Sequence, residues 1–319
     1  MKFLTQIPLS KSKSTIDYSS QLLLLGSCFS QNIGEKLKHY KFQELQNPFG
    51  ILFHPLAIEK LIDKAVNKAF FTEQDIFNEN ERWHCFDAHS ELSNPFKEKL
   101  LSDLNFAVER TLVQLKKASH VIITFGTAWV YRNASTKQVV ANCHKVPQSN
   151  FTKELLDCKT IIQSLERMVA LVRSINPSAK FIFTVSPVRH LKDGFVENQV
   201  SKAHLISAIH EVAKRDEVSY FPSYEIMMDE LRDYRFYTKD MVHPNEIAVD
   251  YIWEKFCEVW IDDSVSNTMN KVDEIQRGLR HRAFNSDSKA HQFFLTSLQG
   301  KIAYIKQIYP FMDFKLPEA

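Results

Sequence analysis

Apolar runs alternate with amphipathic segments along the chain, and this alternation predicts repeated strand–helix units. Four apolar runs have the length and content of buried strands: QLLLLG at 21–26, HVIITFGT at 120–127, KFIFTVSP at 180–187 and VSYFPSY at 218–224. Apolar residues three and four positions apart predict helices at 30–40, 95–117, 159–175, 196–216 and 245–260. Strands that alternate with helices form a parallel sheet covered on both faces. The pattern therefore predicts an α/β fold with a doubly wound parallel sheet.

The same pattern predicts the domain organisation. Residues 1–260 are expected to form one α/β domain, in which the aromatic-rich and less regular residues 41–95 make a loop-rich subregion. Residues 261–319 are expected to form one or two helices, appended as a helical C-terminal extension. At 319 residues, the chain is long enough to bury a full hydrophobic core.

Charge and composition narrow the class of protein. The formal net charge is only +2, with 24% charged residues, so no electrostatic field favours nucleic acid. No apolar run approaches about 18 residues, so we expect no membrane span. The first residues lack a continuous apolar segment and a cleavage site of the kind found in signal peptides, which predicts a cytoplasmic location. Five cysteines without C-x-x-C spacing predict reduced thiols rather than a disulfide framework.

Glycine is scarce, with seven residues in the chain. A sequence this sparing of glycine keeps it where backbone geometry requires it. Gly26, Gly34, Gly50 and Gly126 all stand at or beside predicted strand ends and turns. Ligands of doubly wound sheets bind beyond the carboxyl ends of the strands. We therefore expect these turns to border the binding site.

Two nucleophile-capable residues, Ser27 and Cys28, follow Gly26 at the end of the first predicted strand. A thiol at a helix N-terminus and near a histidine has a lowered pKa, which makes the thiolate available at neutral pH. Side chains of successive residues in an extended segment point in opposite directions, so Ser27 and Cys28 are not expected to face the same histidine together. We favour Cys28 because cysteine is intrinsically the stronger nucleophile, and keep Ser27 as the alternative.

A second polar motif lies near the end of the predicted α/β domain. Asp240 and His243 are three residues apart, directly before a helix whose start is marked by Pro244 and Asn245. In such a turn the carboxylate reaches one nitrogen of the imidazole and leaves the other free to take a proton from a nucleophile. The spacing predicts that Asp240 orients His243 as a general base and acid.

Seven short motifs, in this order, resemble those of the GSCFA domain family, which is itself similar to the SGNH/GDSL hydrolases. They are GSCFS at 26–30, NPFG at 47–50, FGTAWVY at 125–131, NCHK at 142–145, SPVRH at 186–190, YFPSYE at 220–225 and DMVHPN at 240–245. The resemblance spans about residues 20–260. It implies a flavodoxin-like, SGNH hydrolase-like sheet and an enzyme that hydrolyses or transfers acyl esters through a covalent acyl-enzyme. We expect no cofactor.

The resemblance also implies roles for single residues. The Gly-Asp-Ser triplet of SGNH enzymes matches Gly26-Ser27-Cys28, which puts Cys28 at the nucleophile position. The Asp-x-x-His block of the family matches Asp240 and His243 without change. Catalysis is thus expected from Cys28, Asp240 and His243, with Ser27 as the rival nucleophile.

The oxyanion hole is the part of the pattern from which this chain departs. Backbone N–H groups of Cys28 and Gly50, the match to the second-block glycine, are the expected donors. The Gly-x-Asn block matches Gly126-Thr127-Ala128 and therefore lacks its asparagine. Asn47 and Asn142 are the candidate replacements. Loss of one such donor costs about two to three orders of magnitude in rate.

Three further residues are candidates for substrate contact. His89 and His144 are expected in the substrate pocket by their family positions alone. Arg189, at a predicted strand end, is expected either to bind an anionic group of the substrate or to form a surface ion pair. The substrate class that follows is a small-molecule or glycan-linked acyl compound. The oligomeric state stays open.

Two rival functions remain beside the favoured one. The first is a degenerate SGNH fold that binds an acylated or carbohydrate ligand without turnover, as the missing asparagine and the exchange of serine for cysteine suggest. The second is a metal-dependent hydrolase built on the cluster His84, Cys85, Asp87 and His89. That spacing lacks the second half of a structural zinc site, so no metal is assigned.

Overall fold

The structure is a computed structural model that describes residues 5–281, 284–285 and 288–314. Its strands are β1 (Gln21–Gly26), β2 (Gln43–Gln46), β3 (Ile76–Glu79), β4 (Arg82–Cys85), β5 (His120–Phe125), β6 (Trp129–Asn133), β7 (Val139–Val140), β8 (Phe151–Leu155), β9 (Lys180–Val185) and β10 (Val218–Phe221). Its helices are α1 (Cys28–His39), α2 (Pro55–Val66), α3 (Lys97–Lys117), α4 (Cys158–Ile175), α5 (Phe195–Val212), α6 (Ser223–Glu225), α7 (Glu246–Trp260), α8 (Ser266–Arg280) and α9 (Lys289–Ile308). The short α6 continues into a π-helical turn at Ile226–Glu230.

The centre of the fold is a five-stranded sheet in the order β10-β9-β5-β1-β2, and all neighbouring strands in it are parallel. Counted along the chain, this order is 2-1-3-4-5, that of flavodoxin. The chain reverses its direction of winding between β1 and β5, which makes that gap the topological switch point. The predicted α/β fold, its doubly wound parallel sheet and its appended C-terminal helices are confirmed.

Alternating side chains explain why both faces of the sheet are covered. Leu23 and Leu25 of β1 lie in one hydrophobic core, with residues of α2, α3, α4 and α5. Leu22 and Leu24 lie in the other core, with residues of α1, α7, α8 and α9. Strands buried on both faces read as continuous apolar runs, which is why the four predicted strands were visible in the sequence.

The edge strand β2 did not stand out in the sequence because its residues, QELQ, are mostly polar. It pairs on one side only, with β1. The interval 41–95 holds this strand, the helix α2 and the antiparallel hairpin β3–β4, so it is more regular than its sequence suggests. A second antiparallel sheet, in the order β7-β6-β8, follows β5.

A segment before β1 pairs with the residues that follow α7. Ile16 forms a parallel bridge with Ile261, supported by hydrogen bonds from Ile16 N–H to Trp260 O and from Asp262 N–H to Ile16 O at 2.7 and 2.9 Å. The extension packs on the α/β domain, because buried residues of α8 and α9 share the core of α1 and α7. Within the described ranges, no helix has the length and apolar content needed to cross a lipid bilayer.

Candidate active site

The turn between β1 and α1 is fixed by its glycine and its serine. Gly26 has φ +127°, and a Cβ there would clash with the carbonyl of Thr124 on β5, so only glycine fits. Ser27 is fully buried and caps α1, with its Oγ accepting the Phe29 N–H at 3.3 Å. The Ser27 hydroxyl therefore has a structural partner inside the turn.

Cys28 is the first residue of α1 and is partly buried. Its own N–H opens the helix, where backbone N–H groups have no intrahelical acceptor. Burial raises the pKa of the Cys28 thiol, and the backbone at Cys28 and Phe29 together with Lys202 lower it by less. The sequence-based expectation of a lowered pKa was wrong, because it counted the helix N-terminus and omitted the larger effect of burial.

Asp240 and His243 meet as their spacing predicts. Asp240 Oδ2 lies 2.6 Å from His243 Nδ1, and Asp240 Oδ1 accepts from Thr238 Oγ1 at 2.6 Å, Val242 N at 2.8 Å and His243 N at 3.0 Å. These hydrogen bonds, with that from Thr238 the largest contribution, hold the pKa of Asp240 well below its usual range. The carboxylate is ionised, so Nδ1 carries a hydrogen, and in the neutral imidazole the free lone pair is on Nε2. Both side chains are about half exposed, at 48% each.

Arg189 contacts the same loop rather than a carboxylate. Its backbone N–H donates to Val242 O at 3.2 Å and its Nη1 donates to Met241 O at 3.1 Å. The guanidinium lies 5.5 to 5.8 Å from the ring centres of Phe195, Tyr234 and Tyr237. In the part of the chain that the structure describes, Arg189 has no acidic partner, so the expected surface ion pair is absent there.

The backbone donors near Gly50 and Gly126 are already engaged. Gly50 N–H donates to Asn47 O at 2.8 Å, while Gly126 N–H and Thr127 N–H both donate to Phe53 O, at 2.7 and 3.1 Å. An oxyanion would have to displace these acceptors. Of the expected backbone donors, the N–H of Cys28 is the one that the helix start leaves available.

The two candidate replacement amides hold backbone turns. Asn47 Oδ1 accepts Gly26 N–H at 2.8 Å, and its Nδ2 is buried without a hydrogen-bond partner among the described residues. Asn142 Oδ1 accepts His144 N–H at 2.8 Å. Asn47 is thus tied to the turn that precedes Cys28, whereas Asn142 shapes the turn at His144.

His89 lies beside Gly50, and His144 lies beside β4. A Cβ on Gly50, which has φ +75°, would clash with the side chain of His89. His144 Nε2 lies 2.6 Å from Cys85 O, and burial lowers the pKa of His144 to about 4. In the contacts of the described residues, neither His144 nor Asn142 touches α1 or the loop of Asp240 and His243.

Side chains of the cluster at 84–89 are engaged in hydrogen bonds and an ion pair. His84 uses both ring nitrogens, on Ser93 Oγ at 2.7 Å and on Glu79 O at 3.0 Å. Asp87 pairs with Lys60 Nζ at 2.7 Å. No group of three or more His, Cys, Asp or Glu side chains among the described residues is arranged to hold a metal ion. The metal-dependent alternative therefore has no support in this geometry.

Sequence reasoning missed Lys202, which is fully buried on α5. Its Nζ donates to Gly126 O at 2.8 Å and to Ser186 O at 2.7 Å, the carbonyls just beyond β5 and β9. Burial lowers the pKa of Lys202 to about 7, and the nearby Cys28 thiolate raises it by less. A signal existed in the sequence: Lys202 falls in helical register with the buried Leu205 and Ile209.

His190 was also missed, although it lies in the SPVRH motif. A Cβ built on Gly126 would be 3.0 Å from His190 Nε2, and this nitrogen is buried without a hydrogen-bond partner in the described chain. Burial, then Lys202 and then His243 lower the pKa of His190 to about 3. Electrostatic interactions thus connect four side chains in pairs beyond the carboxyl edge of the sheet. The pairs are Cys28 with Lys202, Lys202 with His190, and His190 with His243. No hydrogen bond joins Cys28 directly to His243 within the described residues.

Comparison with known protein families gives an assignment for this chain. A model of the GSCFA family matches residues 21–256, most of the chain. The chain belongs to the GSCFA family. A second model, of the C-terminal domain of GSCFA domain proteins, matches residues 272–316 of this GSCFA protein, which include most of α8 and all of α9.

Among solved structures, this GSCFA protein is similar to an acetyl xylan esterase from the rumen bacterium Butyrivibrio proteoclasticus. The two are 13% identical with a TM-score of 0.38, and the similarity covers 80% of this chain and 66% of the esterase chain. A search of curated proteins gave no match.

Proposed function

We propose that this GSCFA protein hydrolyses or transfers acyl esters through a covalent acyl-enzyme on Cys28. The observation that carries the proposal is the 2.6 Å contact between Asp240 Oδ2 and His243 Nδ1, which leaves Nε2 available for proton transfer. The position of Cys28 also supports the proposal, because Cys28 lies beside the switch point between β1 and β5, where ligands of such sheets bind.

The proposed reaction forms and breaks one thioester. Cys28 Sγ bonds to the ester carbonyl carbon, its proton passes in the simplest scheme to His243 Nε2, and the carbonyl electrons move onto oxygen. Collapse restores the carbonyl and breaks the bond to the alcohol, which leaves with the proton from His243. Water or another acceptor then attacks the thioester and gives its proton to His243. The second collapse releases the acyl product and returns the proton to Cys28.

Asp240 and the start of α1 have supporting roles in this scheme. An ionised Asp240 stabilises the imidazolium that forms at each proton transfer and keeps Nε2 pointing away from itself. The N–H of Cys28 and the partial positive charge of the helix N-terminus face the developing oxyanion. Because the N–H groups of Gly50 and Gly126 are engaged, we expect slow turnover unless the substrate displaces their acceptors.

Trapping of the acyl group tests the proposal. After brief incubation with p-nitrophenyl acetate or an acetyl thioester and acid quenching, peptide mass mapping should find one acetyl group on the peptide that contains Cys28. Cys28→Ala should abolish this adduct, whereas Ser27→Ala, which removes a helix cap, should keep it. Cys143→Ala, at another half-buried thiol, is the matched control and should change nothing. An acetyl group on Ser27 in the wild type, retained in Cys28→Ala, would reassign the nucleophile.

A second candidate, ligand binding without turnover, is favoured by the engaged donors and by the raised pKa of the Cys28 thiol. It predicts that acylated or carbohydrate ligands raise the melting temperature while no acyl adduct forms at any pH.

The proposal of acyl-ester hydrolysis or transfer also includes a substrate class and a location. We propose a small-molecule or glycan-linked acyl substrate and a cytoplasmic location.

A further inference from the structure

Lys202 is buried, and no carboxylate among the described residues pairs with its amine. It is 1% exposed, and its Nζ contacts the carbonyls of Gly126 and Ser186. The described groups that face it are Cys28 from α1, His190 from the loop after β9, and the ring of Tyr224, 5.5 Å away on α6. A buried ammonium without a negative partner is costly, so a fold keeps such a lysine only where other interactions compensate.

The hydrogen bonds of Lys202 define what its nitrogen can do. A neutral amine has two N–H groups and one lone pair, and the two carbonyls take both N–H groups. The lone pair is then the part of Nζ that remains to accept a proton. A lysine tuned by burial to titrate near neutral pH is suited to act as a general base.

Cys28 is the neighbour whose proton this lone pair can take. Gly26 of β1 is in register with Thr124 of β5. Cys28 follows Gly26, and Lys202 Nζ is bonded to the carbonyl of Gly126, so both side chains lie just beyond the ends of these neighbouring strands. Their electrostatic coupling agrees with this placement. The thiol pKa is raised by burial, so the free thiol is mostly protonated at neutral pH and needs a base at the moment of attack. Neither Lys202 nor His243 is hydrogen-bonded to Cys28 among the described residues, but Lys202 is buried whereas His243 is about half exposed.

We propose that Lys202 Nζ, rather than His243, accepts the proton from the Cys28 thiol. The S–H bond breaks, its electron pair stays on sulfur, and the proton forms the third N–H bond of Lys202, giving a thiolate–ammonium pair. The ammonium of Lys202 then gives this proton to the departing alcohol. His243, oriented by Asp240, takes a proton from the second nucleophile and gives it back to the Cys28–Lys202 pair when the thioester collapses. This assignment rests on the proposed function for its role in turnover, but the thiol–amine pair itself exists without substrate.

Alkylation of Cys28 by iodoacetamide tests the pair without any ester. In the wild type, the rate should rise in two steps with pH, the first near 7, because coupled groups titrate as a pair. Lys202→Met should leave one step at higher pH and lower the rate at pH 7.5 about tenfold or more, as a one-unit rise in thiol pKa would. His243→Gln should stay within about twofold of the wild type in the absence of substrate.

Control measurements distinguish the loss of the Lys202 amine from a general loss of structure in the variants. Alkylation of Cys143 in the same digest reports general opening and should be equal in all variants, and Lys214→Met, just beyond α5, is the matched lysine control. Lys202→Gln keeps an NH₂ group for the carbonyls without the basic lone pair and should behave as Lys202→Met does.

Two outcomes would overturn the assignment: unchanged alkylation in both Lys202 variants, or a large loss in His243→Gln. If no ester acylates the protein but the Lys202 variants still slow alkylation, the pair stands and the proposed enzyme function fails. If acyl trapping succeeds but alkylation depends on His243, the function stands and the role of Lys202 fails.

Discussion

Among single side chains, Asp240 determines how His243 behaves. Replacement of Asp240 by asparagine keeps the size of the side chain but lets Nε2 rather than Nδ1 carry the histidine hydrogen. We expect Asp240→Asn to leave the fold intact and to lower kcat/KM by up to about four orders of magnitude, as in a catalytic triad. Steady-state kinetics with p-nitrophenyl acetate and a circular dichroism spectrum would measure both. Asp233→Asn, at a nearby exposed turn cap, is the control, and equal activity of the two variants would exclude a role for Asp240.

The contact between Asp240 and His243 could be predicted from the sequence because it is local: three residues in one turn bring the two side chains together. Lys202 could not be predicted in the same way. Its contacts, to Gly126 and Ser186, are 76 and 16 residues away. In a sequence, a lysine on a helix is typical of a solvated face, and only its register with Leu205 and Ile209 argues otherwise.

At the scale of elements, Arg189 fixes the loop of Asp240 and His243 to the segment after β9. Arg189→Met removes the charged hydrogen bond to Met241 O and should let the loop move. A hydrogen bond from a charged group is worth about 1.5 to 3 kcal/mol, so we expect kcat/KM to fall about ten- to a hundredfold. The loss should be similar for neutral and anionic esters.

Arg235→Met is the matched control for this loop, because Arg235 is exposed and its guanidinium contacts the neighbouring Asp233 and Phe236. It should leave kcat/KM within about twofold. A loss in Arg189→Met that appears only with anionic esters, as a rise in KM, would instead assign Arg189 to substrate binding.

The elements that the sequence predicted are those buried on both faces. β1, β5, β9 and β10 read as apolar runs because helices cover both faces of the sheet. β2 is polar because one of its four residues is buried, and its position follows from pairing with β1, which its own sequence does not indicate. The engagement of Gly126 N–H likewise depends on the carbonyl of Phe53, which comes from a distant part of the chain, whereas Gly50 N–H closes a local turn with Asn47 O.

At the scale of the whole molecule, buried histidines make the fold sensitive to acid. Burial lowers the pKa of His54, His120 and His144 to about 4 and that of His190 to about 3. The unfolded chain binds these protons near pH 6.5, so between pH 6.5 and about 4 it holds more protons than the native state. Stability is therefore fully present above pH 6.5 and is lost as the pH falls toward 4.

Urea unfolding between pH 7 and pH 4 would measure this loss. His54 also caps α2, with Nδ1 accepting Ala57 N–H at 3.2 Å, and asparagine can take over that cap. Relative to the wild type, His54→Asn should reduce the loss of unfolding free energy between pH 7 and pH 4 by about 3 kcal/mol. If the unfolding free energies of the two proteins change equally with pH over this range, His54 does not contribute to the loss of stability in acid.

The pairing of Ile16 with Ile261 has a consequence for the time at which the protein can complete its fold. Hydrogen-bonded partners such as Thr15 and Asp262 are 247 residues apart. A ribosome adds about 5 to 20 residues per second, so the early segment waits roughly 12 to 50 s for its partner to be made. During that wait the sheet face that carries Leu22 and Leu24 lacks α7, α8 and α9. The nascent chain thus carries an open apolar surface for most of its synthesis, and protection by chaperones is most useful in that interval.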